Sequence, residues 1–190
     1  MAFLSDKEIS DMGFGSVGKG VKISDTALFY GREYIDIGDN SRFDDFVVVS
    51  GSVSFGKNVH IALRCSILAS TSAISFGDFS GLSPGCTVLA SFDDYSGATL
   101  TNPTIPLRYR SVTTSSVALG PHVIVGAHSV IGPGVNLGEG AAVGALSFVV
   151  NSVSPWTIVA GVPAKEIKKR SKKLLKQEIN FLTESGHYNS

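Results

Sequence analysis

Histidines and acidic residues mark the positions of this chain that could take part in chemistry. His60 stands between the apolar residues Val59 and Ile61, and histidine is the side chain that most often serves as a general base. Asp93 and Asp94 are adjacent in a polar stretch, and two neighbouring carboxylates can bind an incoming cation such as an ammonium group. Two alternatives stay open at this point: His60 as a capping residue of the fold, and the acidic pair as a solvated turn.

The composition narrows the class of protein. The 190 residues include 16 Lys and Arg against 16 Asp and Glu, so the formal net charge is zero, which argues against a nucleic-acid-binding protein. Hydrophobic residues make up 43%, enough to bury a core and to exclude intrinsic disorder. No apolar stretch approaches the roughly 18 residues of a membrane span, and the first residues lack the apolar core of a signal peptide. With two cysteines, the chain is expected to be a cytoplasmic protein with free thiols.

A six-residue repeat organises most of the chain: the first residue of each copy is aliphatic or Phe, the second is often Gly, and the fifth is small or β-branched. This period fits neither an α-helix nor a simple alternation, but it is typical of a solenoid in which each copy is one short strand and one turn. Three strands would form one triangular coil of an all-β, parallel β-helix of about six coils, with the first residue of each copy inside. The second-place glycines are expected to take up the tight backbone of the corners. The copies begin at residues 17, 23, 29, 37, 43, 49, 55, 61, 67, 76, 82, 88, 119, 125, 131, 137, 143 and 149.

Three insertions break the repeat. Two are short, before Ile37 and between Ile67 and Phe76, and the third is a large external loop over residues 93–117. A long insertion in a solenoid is usually a binding loop on one face. We therefore expect much of the chemistry at this loop.

Helices are predicted at both ends of the repeat. Ser5 and Glu8 have the spacing of a capping box, which predicts a short N-terminal helix. The basic segment after Pro163 has apolar residues at helical spacing, which predicts a C-terminal helix. Its apolar side would contain Ile167, Leu174, Leu175, Ile179 and Leu182. The chain is thus divided into residues 1–162, the β-helix with its N-terminal helix and loop, and residues 163–190, the C-terminal helix and tail.

The hexads, the large loop and the segment TIVAGVPAK at residues 157–165 together resemble the hexapeptide-repeat acyltransferases. The resemblance covers residues 17–170. It implies a left-handed parallel β-helix, a homotrimer with active sites between subunits, and acetyl-CoA as co-substrate with no metal required. It also implies that small residues line the channel for the pantetheine arm and that cations meet the CoA phosphates. The implied channel residues are Ala127, Ala145, Asn151 and Ala160, and the implied phosphate ligands are Lys165, Lys168 and Arg170. His128 follows Ala127 and could contact the pantetheine arm or the thioester.

The segments FDDYSG at 92–97 and LTNPTIP at 100–106 look like those of a bacterial subgroup that acts in surface-polysaccharide (O-antigen) biosynthesis. Several of its members acetylate nucleotide-linked amino sugars such as dTDP-4-amino-4,6-dideoxyglucose, and others are galactoside O-acetyltransferase-like. A small-molecule nucleotide sugar is therefore the expected partner, rather than nucleic acid or a membrane. The residues expected to hold the sugar or its nucleotide are Arg64, Tyr95, Asn102, Arg108 and Tyr109. Arg108 and Arg110 are the ones expected to meet the phosphates.

Sugar O-acetyltransferases of this fold carry a histidine where the large loop begins, and alignment of the hexads puts Asp93 at that position. An alcohol needs a general base, an effect worth ~10²–10⁴-fold, whereas a neutral amine is already a nucleophile. Asp93 and Asp94 therefore favour an amino-sugar acceptor. His60 is the expected base, oriented by one of these two carboxylates across a subunit interface.

Three other functions compete with N-acetylation. An O-acetyltransferase would use His60 as the base on a sugar hydroxyl. A zinc enzyme would need three converging imidazoles, but His122 and His128 are six residues apart, on different faces of the prism, and His122 is expected to be exposed. A non-enzymatic scaffold would have no affinity for CoA.

Overall fold

The structure is a computed structural model that describes residues 2–187, and it is the solenoid that the repeat predicts. Short parallel strands wind through about seven turns, against about six predicted, because Val153 and Val159 add inward positions beyond the last counted hexad. Each complete turn contributes one strand to each of three ladders. The chain is therefore a three-sided prism whose sides can be compared residue by residue.

The three sides of the prism are named the first, second and third face in the order in which the chain reaches them. The first face contains β1 (Ser16–Val17), β4 (Ile35–Ile37), the ends of β6 (Val48–Phe55) and β8 (Ser66–Phe76), β13 (Val117–Leu119) and β16 (Asn136–Leu137). The second contains β2 (Lys22–Ile23), β5 (Arg42–Phe43), β7 (His60–Ile61), β9 (Gly81–Leu82), β14 (Ile124–Val125), β17 (Ala142–Val143) and β19 (Thr157–Gly161). The third contains β3 (Leu28–Tyr30), the starts of β6 and β8, β10 (Thr87–Leu89), β15 (Val130–Ile131) and β18 (Phe148–Val149).

The first residue of each hexad points inward, as predicted. All but one of them are buried, and the exception, Val17, is 38% exposed at the end of the prism where no earlier coil covers it. Along the axis, Phe43 packs edge-on against Phe29 and Phe55, with ring centroids 5.4 Å and 4.9 Å apart. The inward positions form one continuous core, which holds the corners and the loop in fixed places.

The second-place glycines are needed for a different reason from the one predicted. The left-handed backbone falls on the fourth residue of the hexad instead, as at His122 (φ 59°) and His128 (φ 58°). A Cβ placed on Gly126 would lie 2.4 Å from the backbone nitrogen of Ala145 in the next coil. The prediction of a corner dihedral at Gly126 was therefore wrong, and glycine is required there because successive coils approach closely.

The three insertions lie where the broken repeat places them. The first contains a 3-10 helix, Arg32–Tyr34, and the second lengthens β8. The large loop leaves the corner between the third and first faces as an antiparallel pair, β11 (Ser91–Asp93) and β12 (Val112–Thr114), with a 3-10 helix at Leu107–Tyr109. This corner is where the loop side chains are presented.

The predicted N-terminal helix is confirmed as α1 (Asp6–Asp11). The backbone nitrogen of Glu8 donates to the Ser5 hydroxyl at 3.3 Å, and the Glu8 carboxylate accepts from the Ser5 backbone nitrogen at 2.8 Å, which completes the capping box. The helix buries Ile9 against the core. It therefore covers the end of the prism at which the first coil begins.

The predicted C-terminal helix starts later than expected. Residues 164–169 form β20 (Ala164–Lys169), antiparallel to β19, and the helix α2 (Leu174–His187) follows. The last coil would otherwise present an unpaired strand edge, and β20 satisfies its backbone hydrogen bonds. The helical prediction for residues 164–169 was wrong for this reason. The turn of the β19–β20 hairpin lies at residues 161–164, and the division of the chain after residue 162 stays a prediction.

The docked side of α2 coincides only in part with the predicted apolar side, of which Leu174 and Leu175 are half-buried. Ile179 and Leu182 are 65% and 52% exposed, while Glu178 and Phe181 contact the prism. A polar contact and one aromatic ring therefore take part in docking the helix, together with half-buried leucines. Within residues 2–187, no helix has the length and apolar character of a membrane span.

Candidate functional site

His60 lies on the outer surface of β7, and its imidazole is held by a buried carboxylate. The Nε2 atom is 2.9 Å from Oδ2 of Asp44, whose side chain is 8% exposed, and Arg42 Nε donates to Oδ1 of the same carboxylate at 2.7 Å. Burial alone would raise the pKa of Asp44, but the hydrogen bonds from Arg42 and His60 outweigh it and leave this pKa below its usual range. Asp44 therefore stays ionised near neutral pH and fixes the orientation of the imidazole.

This pair gives His60 a carboxylate partner within its own chain, while the expected contact with Asp93 or Asp94 across a subunit interface stays a prediction. Within one chain, the carboxylate beside His60 is Asp44, and Asp93 and Asp94 lie in the loop at another corner. The sequence did carry a signal for Asp44. One coil takes 18 residues here, so Arg42 lies directly beside His60 in the ladder, and Asp44 begins the corner that follows.

A cleft of about 480 Å³ lies between His60 and α2. On its far side, His122 Nε2 is 3.1 Å from Oε2 of Glu178, and the His122 ring stacks on Phe79 with centroids 5.3 Å apart. Phe181 packs edge-on against Phe79 at 6.1 Å. His122 is 9% exposed rather than exposed as expected, because α2 covers it.

The two loop carboxylates have different surroundings. Asp94 accepts hydrogen bonds from the backbone nitrogens of Ser96 (2.8 Å) and Thr99 (2.9 Å) and from the Thr99 hydroxyl (3.0 Å). These bonds lower the pKa of Asp94 to about 2. The bond that reaches Asp93 is long, 3.4 Å from the backbone nitrogen of Asn102. Asp94 shapes the loop, while Asp93 keeps acceptor capacity for a ligand.

Phe92 packs the base of the loop against the prism. Its ring packs on the backbone of Gly132, where a Cβ would come within 3.2 Å of the ring, and its centroid is 6.3 Å from that of Phe148. Asp93 follows Phe92 directly, so the position of Asp93 depends on this packing of the Phe92 ring. Tyr95 lies edge-on to Phe92 at 6.2 Å and is 87% exposed, which leaves its hydroxyl accessible to a ligand.

The far part of the loop brings two predicted sugar or nucleotide ligands together. Arg108 and Tyr109 are in contact, with the guanidinium carbon 4.7 Å from the ring centroid, and both line a concavity of about 400 Å³ together with Arg110. Asn102 is engaged within the loop, since its Oδ1 accepts from the backbone nitrogen of Thr104 at 3.0 Å. The predicted ligands on the loop therefore divide into a basic, aromatic cluster and a residue that supports the loop.

Several residues of the implied pantetheine channel share the corner between the second and third faces. Ala127 and Ala145 are one coil apart. The backbone nitrogen of Leu146 donates to the carbonyl of Ala127 at 2.9 Å, which joins the two corners. His128 stands beside Ala127, and Ala160 follows Ala145 one coil further along, in the ladder with Lys165. Arg64 lies on the same corner nearer the start of the prism. These side chains form one edge, which we call the alanine edge.

Other members of the implied cofactor set lie apart from the alanine edge. Arg170 donates to the backbone carbonyls of His122 at 2.8 Å and Gly140 at 3.0 Å, at the corner between the first and second faces. Asn151 lies at the corner between the third and first faces, and Lys168 lies on the outer strand β20. In a single chain, these three residues do not meet Ala127 and Ala145.

Two residues that the structure places at candidate positions, Asp44 and Ser83, were not predicted from the sequence. Ser83 lies on the alanine edge, where its backbone nitrogen donates to the carbonyl of Val125 at 2.9 Å. No pattern of the repeat distinguishes Ser83 from the other corner serines. Among the side chains that the structure describes, those of residues 2–184, there is no group of three or more His, Cys, Asp or Glu that could hold a metal ion.

Comparison with known proteins gives close relatives, although no protein-family model matches the sequence. The chain is 42% identical over 184 residues to the dTDP-4-amino-4,6-dideoxy-D-glucose acyltransferase of Escherichia coli, which is 95% of each chain. The fold matches that of AntD, an N-acyltransferase from Bacillus cereus in complex with dTDP and 3-hydroxybutyryl-CoA, with a TM-score of 0.94 and 44% identity over 97% of this chain and 98% of that one.

Further AntD structures hold dTDP-4-amino-4,6-dideoxyglucose and coenzyme A, and some AntD variants substitute a serine or an aspartate that are ten residues apart. A hexapeptide-repeat-containing acetyltransferase from Vibrio cholerae shares the fold at a TM-score of 0.58 and 19% identity, over 89% of this chain and 83% of that one. The predicted left-handed β-helix of the hexapeptide-repeat acetyltransferases is thereby confirmed.

Proposed function

The chain belongs to the family of dTDP-4-amino-4,6-dideoxy-D-glucose acyltransferases, and we propose that it transfers an acetyl group from acetyl-CoA to the amine of such a nucleotide-linked sugar. One observation carries this proposal: 42% identity over 95% of both chains to an acyltransferase named for that sugar. The fold match to AntD, an N-acyltransferase bound to dTDP-4-amino-4,6-dideoxyglucose and coenzyme A in one of its structures, supports it. The protein is a CoA-dependent acyltransferase, and the setting we propose for it is surface-polysaccharide (O-antigen) biosynthesis in the cytoplasm.

Asp93 is the carboxylate that receives the acceptor in this proposal. It stands at the base of the loop and lies ten residues after Ser83, the separation of the serine and aspartate substituted in AntD. A carboxylate there binds the sugar ammonium and takes one of its protons, which frees the amine to attack the thioester carbon. The new C–N bond forms as the C–S bond breaks, and the second proton lost by the nitrogen ends on the CoA sulfur. Ser83 would donate a hydrogen bond to the oxygen that becomes negative, and Asp94 would hold the loop turn.

The His60–Asp44 pair favours a second candidate function, O-acetylation of a sugar hydroxyl. An alcohol needs its proton removed in the transition state, and a histidine oriented by an ionised carboxylate is suited to that task. His60 lies on the second face and Asp93 at the corner between the third and first faces, so one acceptor could reach both only where two copies of the chain meet. His60 therefore enters the proposal as a base that acts across a subunit interface.

The alanine edge is our proposed path for the pantetheine arm. The side chains of Ala127, Ala145 and Ala160 project little, which suits a slim chain lying against them. His128 stands where it could contact the thioester, and Lys165 beside Ala160 could meet a CoA phosphate. Three further residues remain predicted CoA ligands, although in a single chain they lie apart from the alanine edge: Lys168, Asn151 and Arg170. The guanidinium of Arg170 already donates to two backbone carbonyls.

A homotrimer with active sites between subunits completes the proposal. The outer surface of the third face carries exposed apolar side chains, with Leu28, Tyr30 and Leu68 at 50%, 56% and 37% exposure. Apolar rows of this kind mark surfaces that bind other proteins. The loop leaves one border of this face and the alanine edge forms the other, so packing of copies through the third face would bring loops and alanine edges together.

Release of CoA thiol with two matched acceptors tests the proposed activity. One acceptor is dTDP-4-amino-4,6-dideoxyglucose, and the other is the same nucleotide sugar with a hydroxyl in place of the amine. We expect thiol release from acetyl-CoA with the amine alone. Release with only the hydroxyl sugar would establish O-acetylation and make His60 the required base. A parallel run with 3-hydroxybutyryl-CoA, the donor bound to AntD, decides whether acetyl is the preferred acyl group.

A further inference from the structure

The two cysteines lie inside the corner that carries the alanine edge. Cys65 and Cys86 are the fifth residues of hexads in neighbouring coils, and both are 0% exposed. Ser66 pairs with Thr87 in the ladder, so the cysteines that precede these two residues stack one above the other. The proposed transfer uses neither thiol. A buried thiol can still donate a hydrogen bond, although a weak one.

Each thiol donates to a backbone carbonyl of the next coil. Cys65 Sγ donates to the carbonyl of Ser83 at 3.2 Å. Cys86 Sγ donates to the carbonyl of Gly126 at 3.1 Å. These carbonyls belong to the residues at which the next coil begins its corner, and Ala127 follows Gly126 directly. The first thiol therefore holds the backbone of Ser83, and the second holds the backbone from which Ala127 projects.

Ser83 is held from two sides. Its backbone nitrogen donates to the carbonyl of Val125 at 2.9 Å, and its own carbonyl accepts from Cys65. In the proposed transfer, the Ser83 hydroxyl donates to the oxygen that becomes negative. Such a donor is effective only when it is already aimed at that oxygen before the reaction. A hydrogen bond that fixes the backbone of Ser83 therefore also fixes the direction of its hydroxyl.

The same kind of hydrogen bond is made by a hydroxyl further along this corner. Ser129 is the fifth residue of its hexad, one coil after Cys86, and its Oγ donates to the carbonyl of Gly144 at 2.9 Å. Val47 fills the corresponding place one coil before Cys65 and has no donor. The corner accommodates a thiol, a hydroxyl or a valine at this position. The chain thus offers its own conservative replacement and its own control.

We propose that the two thiols are positioning groups of the acyl transfer, with Cys65 orienting Ser83 and Cys86 orienting the pantetheine path at Ala127. This inference rests on the proposed function, in which Ser83 stabilises the negative oxygen and the alanine edge receives CoA. The thiols themselves touch neither substrate. Because their acceptors differ, loss of the Cys65 hydrogen bond should act on the chemical step, and loss of the Cys86 hydrogen bond should act on CoA binding.

Steady-state thiol release with acetyl-CoA and the amino sugar tests Cys65. Cys65→Ala should lower kcat about three- to tenfold with no change in KM for acetyl-CoA, because the Ser83 hydroxyl is needed only in the transition state. Cys65→Val, which fills the space without a donor, should show the same loss. Cys65→Ser, which restores a donor, should return kcat to within about twofold of the wild type.

Titration calorimetry with coenzyme A tests Cys86 in the absence of an acceptor. Cys86→Ala should raise the Kd about threefold or more, and Cys86→Ser should restore it. Val47→Ala is the control for both cysteines. It removes buried atoms at the equivalent place without removing a hydrogen bond, so the Tm should fall while kcat and the Kd stay unchanged.

The outcomes separate this inference from the proposed function. Equal losses of kcat in Cys65→Ala, Cys65→Ser and Val47→Ala would overturn the positioning role, because packing alone would then explain them. A wild-type kcat in Cys65→Val with a wild-type Kd in Cys86→Ala would also overturn it, and would leave the proposed function standing. If the wild type transfers no acetyl group to the amino sugar, the proposed function fails, and the Kd of the Cys86 variants for coenzyme A then decides the inference.

Discussion

The first and third faces of the prism are built from the same repeat, yet they present opposite outer surfaces. Inside, both supply buried aliphatic residues, such as Ile74 on the first face and Ile67 on the third. The outward residues of the first face are Ser16, Asp36, Ser54, Ser75, Ala118 and Asn136. Those of the third face are Leu28, Tyr30, Val48, Ser50, Ser66, Leu68, Thr87, Leu89, Val130 and Phe148.

This difference shows that the hexad repeat constrains only the inward-facing residues of each strand. Burial selects the inward residues on every face, because each must fill the same axial space. The outward residues depend on the environment of each face. A polar row suits contact with water, and a broad apolar row is typical of a surface that binds another protein. The loop that carries Asp93 leaves the corner shared by these two faces. The candidate site therefore lies at the border between a polar face and an apolar face.

The largest expected effect comes from a charge placed on the third face. Leu68→Glu should separate the proposed trimer, because a carboxylate in an apolar interface loses its hydration without gaining a partner. Light scattering coupled to size exclusion should then give the mass of one chain. Activity should fall at least ~100-fold, because sites between subunits lose their catalytic groups.

Ser54→Glu on the first face is the matched control. The side chain of Ser54 is exposed on the polar row, so the added carboxylate stays hydrated and both mass and activity should stay unchanged. A trimer that survives Leu68→Glu but not Ser54→Glu would reverse the assignment of the two faces.

Removal of the Asp93 charge should have the next largest effect. Asp93→Asn should lower kcat/KM for the amino sugar by about 100-fold, because the amide can neither bind the ammonium as strongly nor accept its proton. Asp36→Asn removes an acid from the outer row of the first face and should leave the rate unchanged. Thiol release measures both rates, with the Kd for coenzyme A as the check on folding.

His60→Ala belongs to the same comparison. A near-wild-type rate in Asp93→Asn, together with a large loss in His60→Ala, would assign the base to the His60–Asp44 pair and favour O-acetylation. The opposite pattern supports Asp93.

Two glycines should separate activity from stability. Gly132→Ala pushes on the ring of Phe92, at 3.2 Å, and should displace Asp93 enough to lower kcat roughly tenfold with little change in Tm. Gly120→Ala places a Cβ 2.8 Å from the backbone nitrogen of Glu139, and should cost about 1–3 kcal/mol of stability because backbone cannot yield as a side chain can. Thermal denaturation and steady-state rates measure the two effects. An equal loss of Tm in both variants would contradict the role given to Phe92, which is to position the loop on the prism.

The smallest expected effect is on the pH dependence of the loop. The pKa of Asp94 is about 2 in the folded chain and ~3.9 in an unfolded one, so its contribution to loop stability is complete above ~3.9 and is lost as the pH falls toward 2. Hydrogen exchange at the backbone nitrogens of Ser96 and Thr99 should quicken over this window beyond the intrinsic trend. Asp94→Asn should remove the dependence. Exchange that follows the intrinsic trend in the wild type would contradict the role given to Asp94.

The sequence predicted the elements that depend on local pattern. The hexads predicted the inward residues from Ile23 onward, the capping box predicted α1, and the broken period located the large loop. These predictions were correct because the same short pattern of buried and exposed residues recurs in many copies. The stretch at 164–169 was mistaken for helix, because its apolar and basic residues suit either conformation and the open edge of β19 decided between them.

The site divides in the same way between sequence and tertiary structure. The sequence alone determined the solenoid, the position of its loop and the residues that could do chemistry there, because burial along a repeated strand reads directly from residue type. The fold decided which groups meet within the chain: Asp44 lies beside His60, and Arg170 donates to two backbone carbonyls. Hydrogen bonds between side chains depend on distances of a few tenths of an ångström, and coils far apart in sequence set those distances only once they are stacked.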